Sequence, residues 1–369
     1  MATESTYFDP NGAAINNSGL FGLPCNIKDS QVIIIPVPWD ATSSHSHGTS
    51  TGTKAVLKES KFVELYSKNL GNFFEKGIAM EEMPLDIIKK NRKARRLAAP
   101  IVDAGNTEQS KRLKSFAEEV DVLCEEMNNH VYAQTRKHLK NNKTVGLLGG
   151  DHSISFGSIR AHIEKYPNMG VLQFDAHYDL RDKFEGLTYS HGSIMNNVIE
   201  KTSLIKLTQV GIRGYCEEEY NKSIQSNERI ITFLEDDIVK VFSEGESWAS
   251  ICNRIIQTLP NEVYVSFDID SLEPSLCPNT GTPVPGGLTY QQVMYLLNQI
   301  VCSGRIVVGF DLVEISSSKN DNTDAIVGAH LLYKLSGFTL CSCRSSMSNY
   351  SNKSNKYKSH KNSKKPYYC

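Results

Sequence analysis

The chain has 369 residues, of which 40% are hydrophobic and 22% charged, with a formal net charge of −1 at pH 7. That length supplies enough apolar material for one large or two medium globular domains, and the balance excludes a fibrous repeat or a wholly disordered chain. No apolar run reaches the roughly 18 to 20 residues of a membrane helix, and the first ten residues lack a basic stretch leading into an apolar one. A cytoplasmic protein with no membrane partner is therefore expected.

Residues 1–30 are polar and rich in Gly and Asn, which predicts a loosely ordered N-terminal extension. The first strong strand is Gln31 to Pro36, whose continuous Val-Ile-Ile-Ile run suits a parallel strand covered on both faces. Similar short runs follow at Thr144 to Leu148, Gly170 to Phe174, Leu207 to Gly211, Arg229 to Phe233, Glu262 to Phe267 and Gly304 to Phe310. Helix-length segments lie between them, at Glu108 to Lys140, Ser155 to Tyr166, Ser247 to Thr258 and Thr289 to Val301. Thr289 opens a capping pattern, and Val293, Leu296, Leu297 and Ile300 recur behind it at helical spacing. Strand, helix, strand in alternation predicts right-handed crossovers and a three-layer α/β/α sandwich with a mostly parallel central sheet, spanning residues 31–340.

Beyond Leu340 the apolar periodicity stops, and residues 341–369 read as a disordered basic tail. The tail carries seven Lys/Arg and no acid, which leaves the rest of the chain at about −8. A mildly acidic body gives no reason to expect a nucleic-acid partner. The nine cysteines show no finger-like metal spacing, and their odd number suits reduced core residues better than a disulfide framework.

Three acidic clusters each stand just past a predicted strand: Gly149-Gly150-Asp151-His152-Ser153, Asp175-Ala176-His177-Tyr178-Asp179, and Asp268-Ile269-Asp270. In an open parallel sheet ligands bind outside the carboxyl ends of strands, so the three would meet at one edge despite their distance in sequence. Residues two apart in extended chain share a face, which groups Asp175, His177 and Asp179, and likewise Asp268 and Asp270. With His152 they make two imidazoles and four carboxylates. Packed together, four carboxylates repel one another unless strong cations sit among them, and two divalent ions would cancel the charge. An oxygen-rich set without thiolate favours manganese, with nickel or zinc as competitors. Two such ions about 3.5 to 4 Å apart can activate one water molecule near neutral pH.

At these residues the chain resembles the ureohydrolase family, which includes arginase, agmatinase, formimidoylglutamase and guanidine hydrolase. The resemblance runs from about Ile33 to Phe338 and is densest in GGDHSISFG, QFDAHYDLRD, SFDIDSLEPSLCPNTGTPVPGGLTY and GFDLVEIS. It implies two manganese ions, one held by His152, Asp175, Asp179 and Asp268 and the other by His177 and Asp270, with Asp175 and Asp268 bridging. It also implies that Asp179 orients the attacking water, that His191 carries a proton to the leaving amine, and that Glu314 pairs with the guanidinium of the substrate. Without the resemblance, His191 would read as a packing or surface histidine and Glu314 as an ordinary strand-end acid. Glu314 leaves such a pocket net negative, which suits a small cationic guanidino substrate offering forked donors to a carboxylate.

Some positions depart from the commonest family pattern. Glu273-Pro274 stands where Asp-Pro is usual, and Thr53 where many members have proline. The stretch Phe184 to Ser190 does not reproduce the Asn and Ser grouping of arginases. The resemblance is therefore nearer to the agmatinase-like and guanidine hydrolase branch, and implies release of urea and an amine from agmatine or a related compound, in a trimer or hexamer. Guanidine hydrolase and arginase activity are the alternatives within the family. A one-zinc deacetylase-like amide hydrolase and a non-catalytic binding protein are the alternatives outside it. Trp39 reads as a core residue in preference to a cation–π wall of the pocket.

Overall fold

The computed structural model describes residues 8–351 except 16–17, 46–47, 109 and 319, and the side chains of that set up to residue 342. In chain order the elements are β1 (Val32–Pro36), α1 (Thr49–Glu59), β2 (Ile78–Met80), α2 (Leu85–Ala104), α3 (Lys111–Lys140), β3 (Thr144–Leu148), α4 (Ser155–Lys165), β4 (Gly170–Phe174), α5 (Ile194–Lys201), β5 (Lys206–Ile212), α6 (Glu217–Ile224), β6 (Ile230–Leu234), α7 (Glu235–Ser243), α8 (Trp248–Thr258), β7 (Glu262–Asp268), α9 (Tyr290–Cys302), β8 (Ile306–Val313) and α10 (Thr323–Ser351).

The strands form one eight-stranded sheet in the order β2-β1-β3-β8-β7-β4-β5-β6, and every pairing is parallel. Neighbouring residues of a strand feed opposite cores, as the two-residue period of a pleated strand requires. Ile34, Leu148, Leu172, Val265 and Leu312 join the cluster under α8, α9 and α10, whereas Ile35, Leu147 and Val145 join the one under α2 and α3. Val171, Tyr264 and Val308 join a third cluster beneath α4 and α5. Burial on both faces explains why these strands read as unbroken apolar runs.

The expected caps are present. Thr289 Oγ1 accepts from Gln292 N at 3.2 Å while Thr289 N donates to Gln292 Oε1 at 2.8 Å, and Ser110 caps α3 by accepting from Leu113 N at 3.3 Å.

The structure differs from the sequence reading at both ends. Within the supposedly loose N-terminal extension, Leu20, Phe21 and Leu23 are buried, and the Phe21 ring lies 4.9 Å from that of Tyr333 on α10. Their short apolar run was outweighed in sequence by the Gly and Asn around it. At the other end α10 passes through the boundary expected at residue 341. Cys341 and Ser342 are buried, and Ser342 Oγ accepts from Val307 N at 3.1 Å, tying the helix to β8. Residues 352–369 of the tail lie outside the described residues. Cys25, Cys124, Cys216, Cys252 and Cys277 are free thiols, whereas Cys302 is disulfide-bonded, a departure from the reduced state expected. Among the described residues no helix is long and apolar enough to cross a membrane.

Candidate metal centre

The four middle strands, β3, β8, β7 and β4, are consecutive in the sheet although β3 and β8 are far apart in sequence. The chain steps from β1 out to the edge at β2 and back in to β3, winds outward from β4 through β5 to β6, then returns to insert β7 and β8 between β3 and β4. Four carboxyl ends are thereby set side by side at the place where winding reverses, the usual position of a ligand site.

The turn after β3 is built by Gly149 and Gly150, both at positive φ (85° and 87°). A side chain at Gly149 would strike Thr53, and one at Gly150 would meet the Val37 carbonyl oxygen at 2.7 Å. Glycine alone fits here, and the turn delivers His152 into the sheet edge.

His152 Nδ1 lies 3.0 Å from Asp175 Oδ2, 3.0 Å from Asp179 Oδ2 and 3.4 Å from Asp268 Oδ2. His177 Nδ1 lies 3.0 Å from Asp270 Oδ2 and 3.5 Å from Asp175 Oδ1. All six candidate ligands therefore converge, with Asp175 shared between the two histidines. Two triplets, His152, Asp175, Asp179 and Asp175, His177, Asp270, have ligand atoms mutually within 4.8 Å. Asp179 takes the left-handed backbone conformation, φ 56°, and its carbonyl accepts from Met195 N and Asn196 N at the start of α5. That brace turns its carboxylate back toward β3.

The electrostatics are those of a site short of positive charge. Burial and the neighbouring carboxylates Asp270 and Asp175 push Asp268 well above the ordinary range, and burial with Asp175 pushes Asp179 up to about 7. Burial also opposes ionisation of Asp175, but hydrogen bonds from His152 and His177 outweigh it and hold that carboxyl low. Burial disfavours the charged form of His152 and His177, yet the carboxylates around each raise both. Protons thus stand in for cations. His152 Nδ1 is nevertheless buried without a hydrogen bond of acceptable geometry, a ring nitrogen facing three carboxylate oxygens. A buried imidazole nitrogen among oxygen donors fits divalent cations.

Two further expected residues lie around this cluster. Glu314, in left-handed conformation (φ 58°) directly after β8, accepts from the His152 backbone N–H at 2.8 Å through Oε1. Burial and the nearby Asp151 raise its carboxyl well above the usual range. His191 follows the 182–190 loop. Its ring nitrogens face Thr42 Oγ1 at 3.5 Å and Ser44 Oγ at 3.4 Å, and Phe184 packs edge-on at 5.4 Å. Burial, reinforced by His177, pushes His191 down to about 4, so it is neutral near pH 7. Trp39 is fully buried, in line with a core role.

Several supporting residues were not singled out from sequence. Ser266 and Asp311 stand behind His152, Gln173 Nε2 donates to Asp175 Oδ2 at 2.8 Å, and Arg213 braces the Asp270 turn. The signal for Asp311 and Gln173 was their polarity inside otherwise apolar strands. Arg213 carried none beyond its place after β5.

Residues 30–337 match the arginase family. The chain is 30% identical over 310 residues to the N(1)-aminopropylagmatine ureohydrolase of Thermus thermophilus, covering 84% of this chain and 90% of that protein. It is 26% identical over 317 residues to the agmatinase of Pyrococcus horikoshii, covering 85% and 94%. Among solved structures, the proclavaminate amidinohydrolase of Streptomyces clavuligerus superposes with a TM-score of 0.67 at 22% identity, covering 90% of this chain and 99% of that one. The family match and these relatives define a hydrolase acting on carbon–nitrogen bonds, carried on an α/β fold. The chain belongs to the arginase family and is a ureohydrolase.

Proposed function

We propose that the protein is an agmatinase-type enzyme holding two manganese ions, which releases urea and an amine from agmatine or a related small guanidino compound. The observation that carries this reading is the buried His152 Nδ1 facing Asp175, Asp179 and Asp268 within 3.4 Å, with His177 and Asp270 continuing the same cluster. Relatives bear the names N(1)-aminopropylagmatine ureohydrolase, agmatinase and guanidinobutyrase, which share a guanidino group on an aliphatic chain. None of the three names specifies an α-amino acid end, in keeping with the lack of an arginase-type Asn and Ser grouping before His191.

His152, Asp175, Asp179 and Asp268 would hold one ion, and His177 and Asp270 the other, with Asp175 and Asp268 shared. The pair supplies activation of water toward the guanidino carbon. The remaining work falls to the chain. Glu314 orients the substrate by pairing with its planar guanidinium, and Asp179 orients the attacking water. His191, neutral near pH 7, takes a proton and hands it to the leaving amine nitrogen. Nickel in place of manganese, a cytoplasmic location and a trimeric or hexameric assembly belong to the same proposal.

The test is urea release by full-length protein loaded with manganese or nickel, assayed on agmatine, N1-aminopropylagmatine, guanidinobutyrate, guanidine and arginine. Release from agmatine or another amine-bearing guanidino compound, with about two ions per chain, is expected. Release from guanidine or arginine alone would move the assignment to the corresponding branch, and no release from any of them would overturn it.

A further inference from the structure

Three hydroxyls surround the His191 ring, and they are not equivalent. Ser44 Oγ lies 3.4 Å from Nε2, and Ser190 Oγ lies 3.3 Å from Nδ1. Each can rotate its proton toward the ring or away from it, so neither dictates which ring nitrogen carries hydrogen. Thr42 is different. Its Oγ1 donates to Asp151 Oδ2 at 2.8 Å, and its own backbone N–H donates to the same oxygen at 3.0 Å.

The Thr42 side chain is fully buried, as is Asp151, whose other oxygen accepts from both the backbone and the hydroxyl of Ser153. The single Thr42 proton is therefore committed to the carboxylate. What Thr42 offers His191 is an acceptor only. It takes the His191 backbone N–H at 3.1 Å and faces Nδ1 at 3.5 Å.

We propose that Thr42, locked by Asp151, is a positioning residue that fixes His191 as the Nδ1–H tautomer, leaving the Nε2 lone pair free beside Ser44 to accept a proton. The proposal rests on the reading of His191 as the proton carrier. The chain of commitment runs from a buried carboxylate through one hydroxyl to the imidazole, so the tautomer is set before substrate arrives. Asp151 gains a role beyond capping its own turn: it sits next to His152 in sequence, yet its carboxylate serves the loop that carries Thr42. Loop 40–44 and loop 182–191 would be brought into catalytic register by this contact.

The test compares Thr42→Val, which keeps the shape and removes the hydroxyl, with Thr42→Ser, which keeps the hydroxyl. Both are made in full-length protein loaded with manganese. Thr42→Val is expected to lower kcat on the order of 10- to 100-fold, with KM and metal content within about twofold, and Thr42→Ser is expected to restore most of the rate. Wild-type turnover in Thr42→Val would overturn the proposal, and so would equal losses in both variants.

The tautomer is read without any turnover by 15N chemical shifts of the imidazole in [15N]His-labelled protein loaded with zinc, a diamagnetic ion, using His191→Asn to assign the signals. A protonated Nδ1 and an unprotonated Nε2 are expected in wild type, and the reverse would overturn the proposal even if Thr42→Val failed to fold. Should the wild type release no urea from any guanidino compound, the reading of the whole site fails, while the nitrogen shifts still decide the Thr42 contact.

Discussion

Ser266 Oγ lies 2.9 Å from His152 Nε2, on the side of the imidazole turned away from the three carboxylates. Ser266 donates its proton to Asp311, at 2.9 and 3.1 Å from the two oxygens, so its oxygen accepts from Nε2–H. Nδ1 is then the nitrogen with a lone pair, and it faces the side where a cation would sit. Histidine ligands are ordinarily fixed in this way by an outer hydrogen bond, whose loss weakens metal affinity about 10- to 100-fold. Ser266→Ala should show a loss of that order in competition titrations with a metal indicator. Undiminished affinity would mean that packing alone orients His152.

The six candidate ligands were legible in sequence because strand-end Asp and His residues have little reason to cluster except charge neutralisation. Their convergence followed from one topological rule and needed no knowledge of which strands are neighbours. The insertion of β7 and β8 between β3 and β4 was not legible, since strand order leaves no periodic trace. The same blindness hid Ser266 and Asp311. A serine in a parallel strand is unremarkable until the adjacent strand is known, and the β7–β8 pairing sets Ser266 opposite Asp311. Phe21 was missed for a different reason. Its packing against Tyr333 joins residues 312 apart in sequence, and a single short apolar run among Gly and Asn carries no period.

Glu314 separates substrate binding from metal binding. Its Oε1 is engaged by the His152 backbone N–H at 2.8 Å. Glu314→Gln keeps the shape and removes the charge. On the proposed role it should raise KM for agmatine on the order of tenfold while metal content stays near two ions per chain. Asp268→Ala, by contrast, should lose metal and activity together. Steady-state kinetics alongside elemental analysis separates the two cases, and metal loss in Glu314→Gln would place that residue among the ligands.

Acid should weaken the fold through a histidine outside the metal centre. His162 is fully buried, its Nδ1 donates to the Ser158 carbonyl at 2.8 Å, and its Nε2 presses on Gly309, where any side chain would collide. Burial pushes it down to about 4 from an ordinary value of 6.5. Between those values the unfolded chain binds the proton that the folded one refuses, so stability falls as pH drops from about 6.5 toward 4 and levels off below. The contribution lost is on the order of 3 kcal/mol. Urea denaturation of chelator-treated wild type and His162→Asn across this range should give curves that converge on acidification. A constant gap between them would exclude His162 as the source.

Arg213 ties the metal ligands to the wall of the pocket. Its guanidinium is almost wholly buried yet faces backbone, donating to the carbonyls of Asp270 at 2.7 Å, Leu272 at 3.2 Å, Val284 at 3.1 Å and Gly211 at 3.1 Å, with Glu235 Oε2 at 3.6 Å as counter-charge. One side chain thus joins β5, the Asp268–Asp270 turn and the 272–288 loop, whose Thr280 hydroxyl in turn donates to the Glu314 carbonyl at 2.9 Å. A planar fork can reach these acceptors together, and a lysine ammonium cannot. Arg213→Lys should therefore keep the charge opposite Glu235 but loosen the turn, lowering metal affinity more than global stability. Arg213→Met, which also strands the Glu235 carboxylate, should cost about 3 to 5 kcal/mol of folding free energy. Denaturation midpoints of the metal-free proteins and metal titrations of both variants check this. If Arg213→Lys binds metal as tightly as wild type, its positive charge, and not the geometry of its donors, is what holds the turn.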